Sequence, residues 1–285
     1  MATFYNQATI SYGGNVVNSN TTEAELLAGL QITKTPITAG YGAGSSVVYA
    51  ITVSNIGSTA YSARTVTDDL GVYTLAGGGT AVPLTYTQGS ILYYLNGELQ
   101  PAPTVTAVGN LSIEGINLPA NSTATFIYEA KANEFAPIAA GSTITNTAST
   151  NGGAGIGEIT ASSTIAANEE ARLTIAKAVC PAVINDNDQL TYTVIVQNLG
   201  NTPIVATDGV VISDVFNPVL SDITVTLDGA TLAEGTGYTY DAVSGAFSTV
   251  AGVVTVPEAT YTQDPATGTV TTTPGVAVLT VTGTV

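Results

Sequence analysis

The stretch that decides the fold is Val47-Val48-Tyr49-Ala50-Ile51-Thr52-Val53-Ser54-Asn55-Ile56-Gly57. Its side chains alternate between large apolar and small or polar types, the pattern of a strand with one buried face. The same pattern returns as Leu190-Thr191-Tyr192-Thr193-Val194-Ile195-Val196-Gln197-Asn198-Leu199-Gly200. Working outward from this pair, the chain repeats itself in order. Leu30-Gln31-Ile32-Thr33-Lys34 precedes the first copy and Leu173-Thr174-Ile175-Ala176-Lys177 the second, and Lys and Asn are 21 residues apart in both (55 − 34 and 198 − 177). Each copy then reaches an acidic strand, Val66-Thr67-Asp68-Asp69-Leu70 and Ile212-Ser213-Asp214-Val215-Phe216. An Asn96-Gly97 turn in one and an Asp228-Gly229 turn in the other mark hairpins. Aligned on their prolines, the segments from Pro119 and Pro274 follow.

The copies then diverge. The first continues into Ser142-Thr143-Ile144-Thr145-Asn146-Thr147-Ala148-Ser149-Thr150, whereas the second stops at Val285. A matching segment stands at the front, where Tyr5-Asn6-Gln7-Ala8-Thr9 aligns with Thr145-Asn146-Thr147-Ala148-Ser149, each followed by a Gly-Gly turn. The expected organisation is a donor segment over 1–20, a complete domain over 28–165 and an incomplete one over 171–285. The fold class expected is all-β: two tandem immunoglobulin-like antiparallel sandwiches, the second lacking its last strand, plus an N-terminal donor hairpin. Helical signals are nearly absent. Thr22 to Ala28 could form a turn or two of helix and is read instead as a linker; Ala166 to Ala171 is the corresponding linker between the domains.

Composition excludes several functions. The 285 residues carry five basic side chains, 21 acidic ones and no histidine, a net charge of −16. No basic patch for nucleic acid can be built from so few cations. Apolar runs are short and broken by Thr, Ser or Gly, so no transmembrane span is expected. The N-terminus lacks the basic region and apolar core of a secretory signal, which implies either a removed signal or another route out of the cell. Without histidine there is no His-based triad, no enzyme is expected, and neither metal nor cofactor is called for. Asn185-Asp186-Asn187-Asp188 offers oxygen ligands, but Asx turns use the same residues without calcium. The glycine clusters at 40–44 and 152–157 open no helix and read as turns rather than phosphate loops. Cys180 is the single cysteine and is read as a small buried residue.

Lys34-Thr35-Pro36, the strand ending Asn55-Ile56-Gly57, the Asp68-Asp69 strand, Leu118-Pro119-Ala120-Asn121-Ser122 and Ile144 to Thr150, in this order, resemble the conserved repeat called domain of unknown function 11. That repeat is found in bacterial surface and appendage proteins, and the resemblance covers nearly the whole chain, twice. The lack of a signal is also similar to the ribbon-like spore appendages of anaerobic spore formers, whose proteins are made in the mother cell. The resemblance implies an extracellular location on the cell or spore surface and a structural role in a fibre. The alternative is an adhesin or carbohydrate-binding stalk module.

An incomplete sandwich exposes an unpaired sheet edge, a template for another chain. The expected partner is therefore a second copy of this chain, joined head-to-tail by strand donation. Phe4 or Tyr5, with Asn6, Ala8, Ile10 and Tyr12, is the donated face. Tip or anchor proteins leave no mark in the residues.

The lysines at matched repeat positions read either as surface side chains with packed stems or as half of an isopeptide bond. Gram-positive pilin and adhesin domains join a first-strand Lys to a last-strand Asn with an acid nearby, and this chain is similar. The resemblance implies Lys34 with Asn146 and either Asp68 or Asp69. Between subunits it implies Lys177 with Asp214 and Asn6 of the neighbouring copy. Burial favours the chemistry by lowering the Lys pKa and raising the Asp pKa.

Overall fold

The structure is a computed structural model and describes residues 2–26, 29–153, 156–185 and 188–285. Among the described residues it is built of strands, with a single three-residue 3-10 turn at Ala206–Asp208. It divides into two compact units, one of 1–137, 142–167 and 265–269, the other of 138–141, 168–264 and 270–285.

The chain opens with β1 (Ala2–Asn6), β2 (Thr9–Tyr12), β3 (Asn15–Asn18) and β4 (Thr22–Leu26). They form one long antiparallel ribbon, with Asn6 opposite Thr22 and Thr9 opposite Asn18. Gly13 and Gly14 close it with φ of +53° and +82°, the primed turn whose twist suits a two-residue hairpin. Across the interruption at Gln7 and Ala8, the Ser19 backbone N–H donates to the Ala8 carbonyl (2.8 Å) and the Ser19 hydroxyl accepts from the Ala8 N–H (2.9 Å). The linker read over Thr22 to Ala28 is corrected here. Thr22–Leu26 is a strand, held by cross-strand bonds that outweigh its helical composition, and residues 27 and 28 lie outside the described residues. Every described side chain from Thr3 to Ala24 is exposed.

The first unit is a two-sheet sandwich. Its strands include β5 (Leu30–Pro36), β6 (Gly40–Tyr41), β7 (Ser46–Asn55), β8 (Tyr61–Asp68), β9 (Leu92–Leu95), β10 (Glu98–Gln100), β11 (Thr104–Ala107), β12 (Leu111–Leu118), β13 (Ser122–Ala132), β14 (Thr143–Asn151) and β15 (Glu158–Ala167). One sheet runs β10-β9-β13-β7-β5 and the other β11-β12-β8-β14-β15-β6. Val47, Tyr49, Ile51 and Val53 of β7 and Ala124, Phe126, Tyr128 and Ala130 of β13 are fully buried on the facing side. This is the alternation read from the sequence. Gly40 and Tyr41, read as part of a turn, instead form β6, because the Tyr41 ring is buried and its hydroxyl donates to the Pro137 carbonyl (2.6 Å).

The repeated Asn has a structural task. Asn55 is buried, its amide donates to the carbonyls of Thr59, Leu118 and Pro119, and its Oδ1 accepts from the Gly57 N–H. Asn198 does the same work with Thr202, Gly200 and Arg172. Such side-chain bonds satisfy backbone groups where the strand leaves the ladder.

The second unit has the same first sheet and a smaller second one. Its strands include β16 (Leu173–Cys180), β17 (Gln189–Asn198), β18 (Ser213–Val215), β19 (Ser221–Leu227), β20 (Ala230–Thr231), β21 (Tyr238–Tyr240), β22 (Ala246–Thr249) and β23 (Gly275–Thr284). One sheet runs β16-β17-β23-β19-β20, the other β18-β22-β21. Leu190, Val194, Val196, Phe216, Phe247, Leu279 and Val281 are among the side chains that fill the space between. In the first unit β8 is paired on both sides, by β12 and β14. Its counterpart β18 is paired only by β22 among the described residues. The whole of β16 is exposed, with Ile175 at 65%, whereas the corresponding Leu30 and Lys34 are buried under β14 and β15. Cys180, expected to be buried, is therefore exposed: it ends a strand that nothing described covers.

Candidate functional site

In the first unit five side chains from both sheets meet in the core. Lys34 enters from β5, Tyr49 from β7 and Tyr128 from β13; Asp68 comes from β8 and Asn146 from β14. Strand alternation puts each on the inner face: Lys34 is 7% exposed, and Asp68, Asn146, Tyr49 and Tyr128 are 0%. The reading of Lys34 as a surface lysine is thereby corrected, because β14 and β15 cover its strand.

The Lys34 ammonium contacts Asp68 Oδ2 directly and donates to the Tyr128 hydroxyl (3.0 Å). That hydroxyl donates to Asp68 Oδ2 (2.6 Å) and accepts from Asn146 Nδ2 (3.1 Å). Tyr128 thus uses its one proton and both lone pairs. Asp68 Oδ1 accepts from the Leu70 N–H (3.0 Å). Asn146 Oδ1 and the Tyr49 hydroxyl are buried without a hydrogen bond. The Asn146 amide still lies near enough to Tyr49 to offset slightly the effect of burial on its phenol. The Lys34 nitrogen also sits 4.5 Å from the Tyr49 ring centre, a cation–π contact in a dry setting.

Burial pushes the Lys34 ammonium below its ordinary value of 10.5, against the opposing pull of Asp68 and then Asp69. Burial also pushes the Tyr128 phenol well above 10.0, with the Asp68 charge adding to it. Taking a charge pair out of water costs several kcal/mol per ion before attraction offsets it.

Between the two candidate acids the geometry distinguishes clearly. Asp69 points away: its Oδ1 accepts from the N–H groups of Gly71 (2.8 Å) and Thr147 (2.9 Å), which pins β14 to β8. Asp68 is the carboxylate at the lysine.

The second unit repeats part of this arrangement. Lys177 pairs with Asp214 and lies 4.4 Å from the Tyr192 ring centre and 5.4 Å from that of Phe216. Here the side chains are 40% and 21% exposed, so the pair is open to water. Asn6 is exposed in the N-terminal ribbon, where its carbonyl accepts from the Thr22 hydroxyl (3.2 Å). Phe4, Tyr5, Ala8, Ile10 and Tyr12 are likewise exposed. The structure brings together Lys34, Asp68 and Asn146, and Lys177 with Asp214; Asn6 stands in the N-terminal ribbon.

Tyr128 and Tyr49 were not singled out from sequence. Strand pairing supplies the missing signal. Tyr128 lies opposite Tyr49 in one unit, and Val281 opposite Tyr192 in the other. Aligning the copies on Pro119 and Pro274 misplaces this by two residues and sets Tyr128 against Gly283. Pairing of Ser122 with Asn55 and of Gly275 with Asn198 gives the correct offset.

Among the described residues, no group of three or more His, Cys, Asp or Glu could hold a metal ion, and no helix is long and apolar enough to cross a membrane. The calcium reading over 185–188 falls partly outside the described residues; the Asn185 N–H donates to Asp188 Oδ2 (2.6 Å). The glycine cluster at 152–157 is likewise only partly described.

Comparison with known proteins adds descriptions of the fold. No protein-family model matches the chain, and no curated protein matches it. Among solved structures it is similar to a variant of BcpA, the major pilin subunit of Bacillus cereus (TM-score 0.39, 12% identity, covering 94% of this chain and 70% of that one). It is similar also to two domains of the major pilin SpaD of Corynebacterium diphtheriae (TM-score 0.35, 10% identity, 85% and 88% covered). A third is the collagen-binding domain of a Staphylococcus aureus adhesin (TM-score 0.31, 10% identity, 51% and 100% covered). At TM-scores of 0.31 to 0.39 none of these likenesses carries an argument about function.

Proposed function

We propose that this protein is the structural subunit of a bacterial surface or spore appendage, polymerising head-to-tail by strand donation and locked by Lys–Asn isopeptide bonds. It is not an enzyme acting on a separate substrate in this reading. One observation carries it. The hairpin of β14 and β15, which pairs with β8 and covers β5 in the first unit, has a sequence counterpart in the exposed ribbon β1–β4, and β18 and β16 of the second unit lie uncovered.

The first unit supplies the register for the donated ribbon. Ala148 pairs with Asp68, Ser149 with Thr67 and Thr150 with Val66. By correspondence Ala8 pairs with Asp214, Thr9 with Ser213 and Ile10 with Ile212 of the neighbouring copy. Ile144, Asn146, Ala148 and Thr150 are the buried residues of β14. In phase with them are Phe4, Asn6, Ala8 and Ile10, so Phe4 points inward and Tyr5 outward. Each ladder hydrogen bond adds a net ~0.5–1.5 kcal/mol, and apolar burial adds about 25 cal/mol per Å². A head-to-tail contact of this kind propagates rather than closing.

Docking brings Asn6 beside Lys177 and Asp214. In each site the lysine gives a proton to its paired aspartate, and the amine so formed attacks the Asn carboxamide. Ammonia leaves. Deleting residues 3–18 is expected to abolish filaments in negative-stain microscopy while the first unit stays folded. Asn6→Ala is expected to leave filaments that dissolve in boiling detergent, where the parent leaves a ladder of multimers. Filaments from the deleted chain would sink the strand-donation reading; an unchanged ladder from Asn6→Ala would sink the intersubunit bond alone.

A further inference from the structure

We propose that Tyr128 is the proton relay of the Lys34–Asn146 ligation, handing the departing ammonia its proton, and that the Lys177 site works without such a relay. The proposal rests on the isopeptide reading above. Its basis is geometric. Among the described residues, the Tyr128 hydroxyl is the one group within hydrogen-bond distance of Lys34 Nζ, Asp68 Oδ2 and Asn146 Nδ2 together. Nζ is the attacking atom, Oδ2 the proton store and Nδ2 the leaving atom. A group that bridges store and leaving atom is placed to move a proton between them. Burial keeps the phenol protonated, so it stands ready as a donor.

The steps balance as follows. One proton moves from the Lys34 ammonium to Asp68 Oδ2, leaving a neutral amine and a neutral acid. Nζ adds to Asn146 Cγ. Tyr128 gives its hydroxyl proton to Nδ2 and recovers one from Oδ2; Asp68 then takes the second proton that Nζ sheds. The Cγ–Nδ2 bond breaks, the carbonyl reforms, and ammonia leaves with the proton held on Asp68. Net, a lysine ammonium, the Asp68 carboxylate and an asparagine amide become an isopeptide, a neutral Asp68 acid and ammonia.

In the second unit the position opposite Tyr192 is Val281, which is buried in the core and carries no hydroxyl. The Lys177–Asp214 pair, 40% and 21% exposed, is instead open to solvent. The two ligations therefore differ in their dependence on pH and on this one phenol.

Cell-free translation of full-length chains in an Asn6→Ala background isolates the first-unit bond, with intact mass followed over time between about pH 6 and about pH 9. The parent chain is expected to lose about 17 Da of ammonia with a flat pH profile. Tyr128→Phe is expected to ligate about 100-fold more slowly, with a rate that falls as pH rises and an unchanged far-UV spectrum. Ligation of Tyr128→Phe at the parental rate overturns the relay. A slowed rate with a flat profile assigns Tyr128 to positioning and overturns it too. A parent chain that never loses ammonia overturns the isopeptide reading itself, and the relay with it. If Tyr128→Phe does not fold, a proton inventory of parental ligation in mixed light and heavy water decides: two protons in flight support the relay, and one refutes it.

Discussion

Lys34 shows how one buried charge sets the behaviour of a site. Its ammonium is covered by β14 and β15 and bonded to Asp68 and Tyr128. Burial, the largest influence, holds its folded pKa below the ordinary 10.5. An Asn146→Ala chain cannot ligate, so its Lys34 remains free to titrate. Between the lowered folded value and 10.5 the unfolded chain holds more protons than the folded one, so stability rises with pH through that window. Tyr128 acts in the opposite sense. Its raised pKa contributes stability below about 10 that is lost as pH climbs toward the folded value. Urea unfolding of Asn146→Ala is therefore expected to show stability increasing as pH rises toward about 10, by at most about 1.4 kcal/mol per unit. Adding Lys34→Met should flatten that slope; an identical slope in both chains would mean that Lys34 is charged in the fold.

At the scale of elements, the ribbon β1–β4 is unusual in exposing Phe4, Ile10, Tyr12, Val16 and Val17 together. Such a surface favours a partner. The register taken from β14 makes a sharp distinction between neighbours. Phe4→Ala removes an inward side chain and is expected to cost about 3 kcal/mol, raising the critical concentration for filaments about 100-fold. Tyr5→Ala changes an outward one and should matter much less. Sedimentation of filaments against protein concentration measures both; the reverse ranking would place the donated strand one residue out of register. On the accepting side, β16 lies exposed throughout because it has no counterpart of the β14–β15 cover among the described residues.

For the whole molecule, the proposed strand donation assigns one hairpin to each unit, β14–β15 to the first and the β1–β4 ribbon of a neighbouring copy to the second. The first pairs with β8 of its own unit. A synthetic peptide of residues 1–26 should therefore compete for the second unit. Added in excess before assembly it is expected to shorten filaments in proportion to its concentration and to appear bonded to single chains by mass. A peptide carrying Asn6→Ala should shorten filaments without forming the bond. Filament lengths unaffected by the peptide would argue that the ribbon is not what the second unit binds.

Much of this was legible in the residues alone. Alternation along Val47–Val53 and its echo at Leu190–Val196 determined strands, a sandwich and a repeat, because side-chain period and turn chemistry are local properties. The equal Lys–Asn spacing and the aligned Asn6 and Asn146 determined which residue types recur. Tertiary structure alone decided the rest. It chose Asp68 over Asp69, since successive side chains on a strand face opposite ways and only contacts across the sandwich show which way is in. It made Thr22–Leu26 a strand and Cys180 exposed, since cross-strand pairing and cover come from distant parts of the chain. It also placed Tyr128 at the centre of the buried cluster and Val281 in the matching position, a difference that the proline alignment hid by two residues and that strand pairing makes plain.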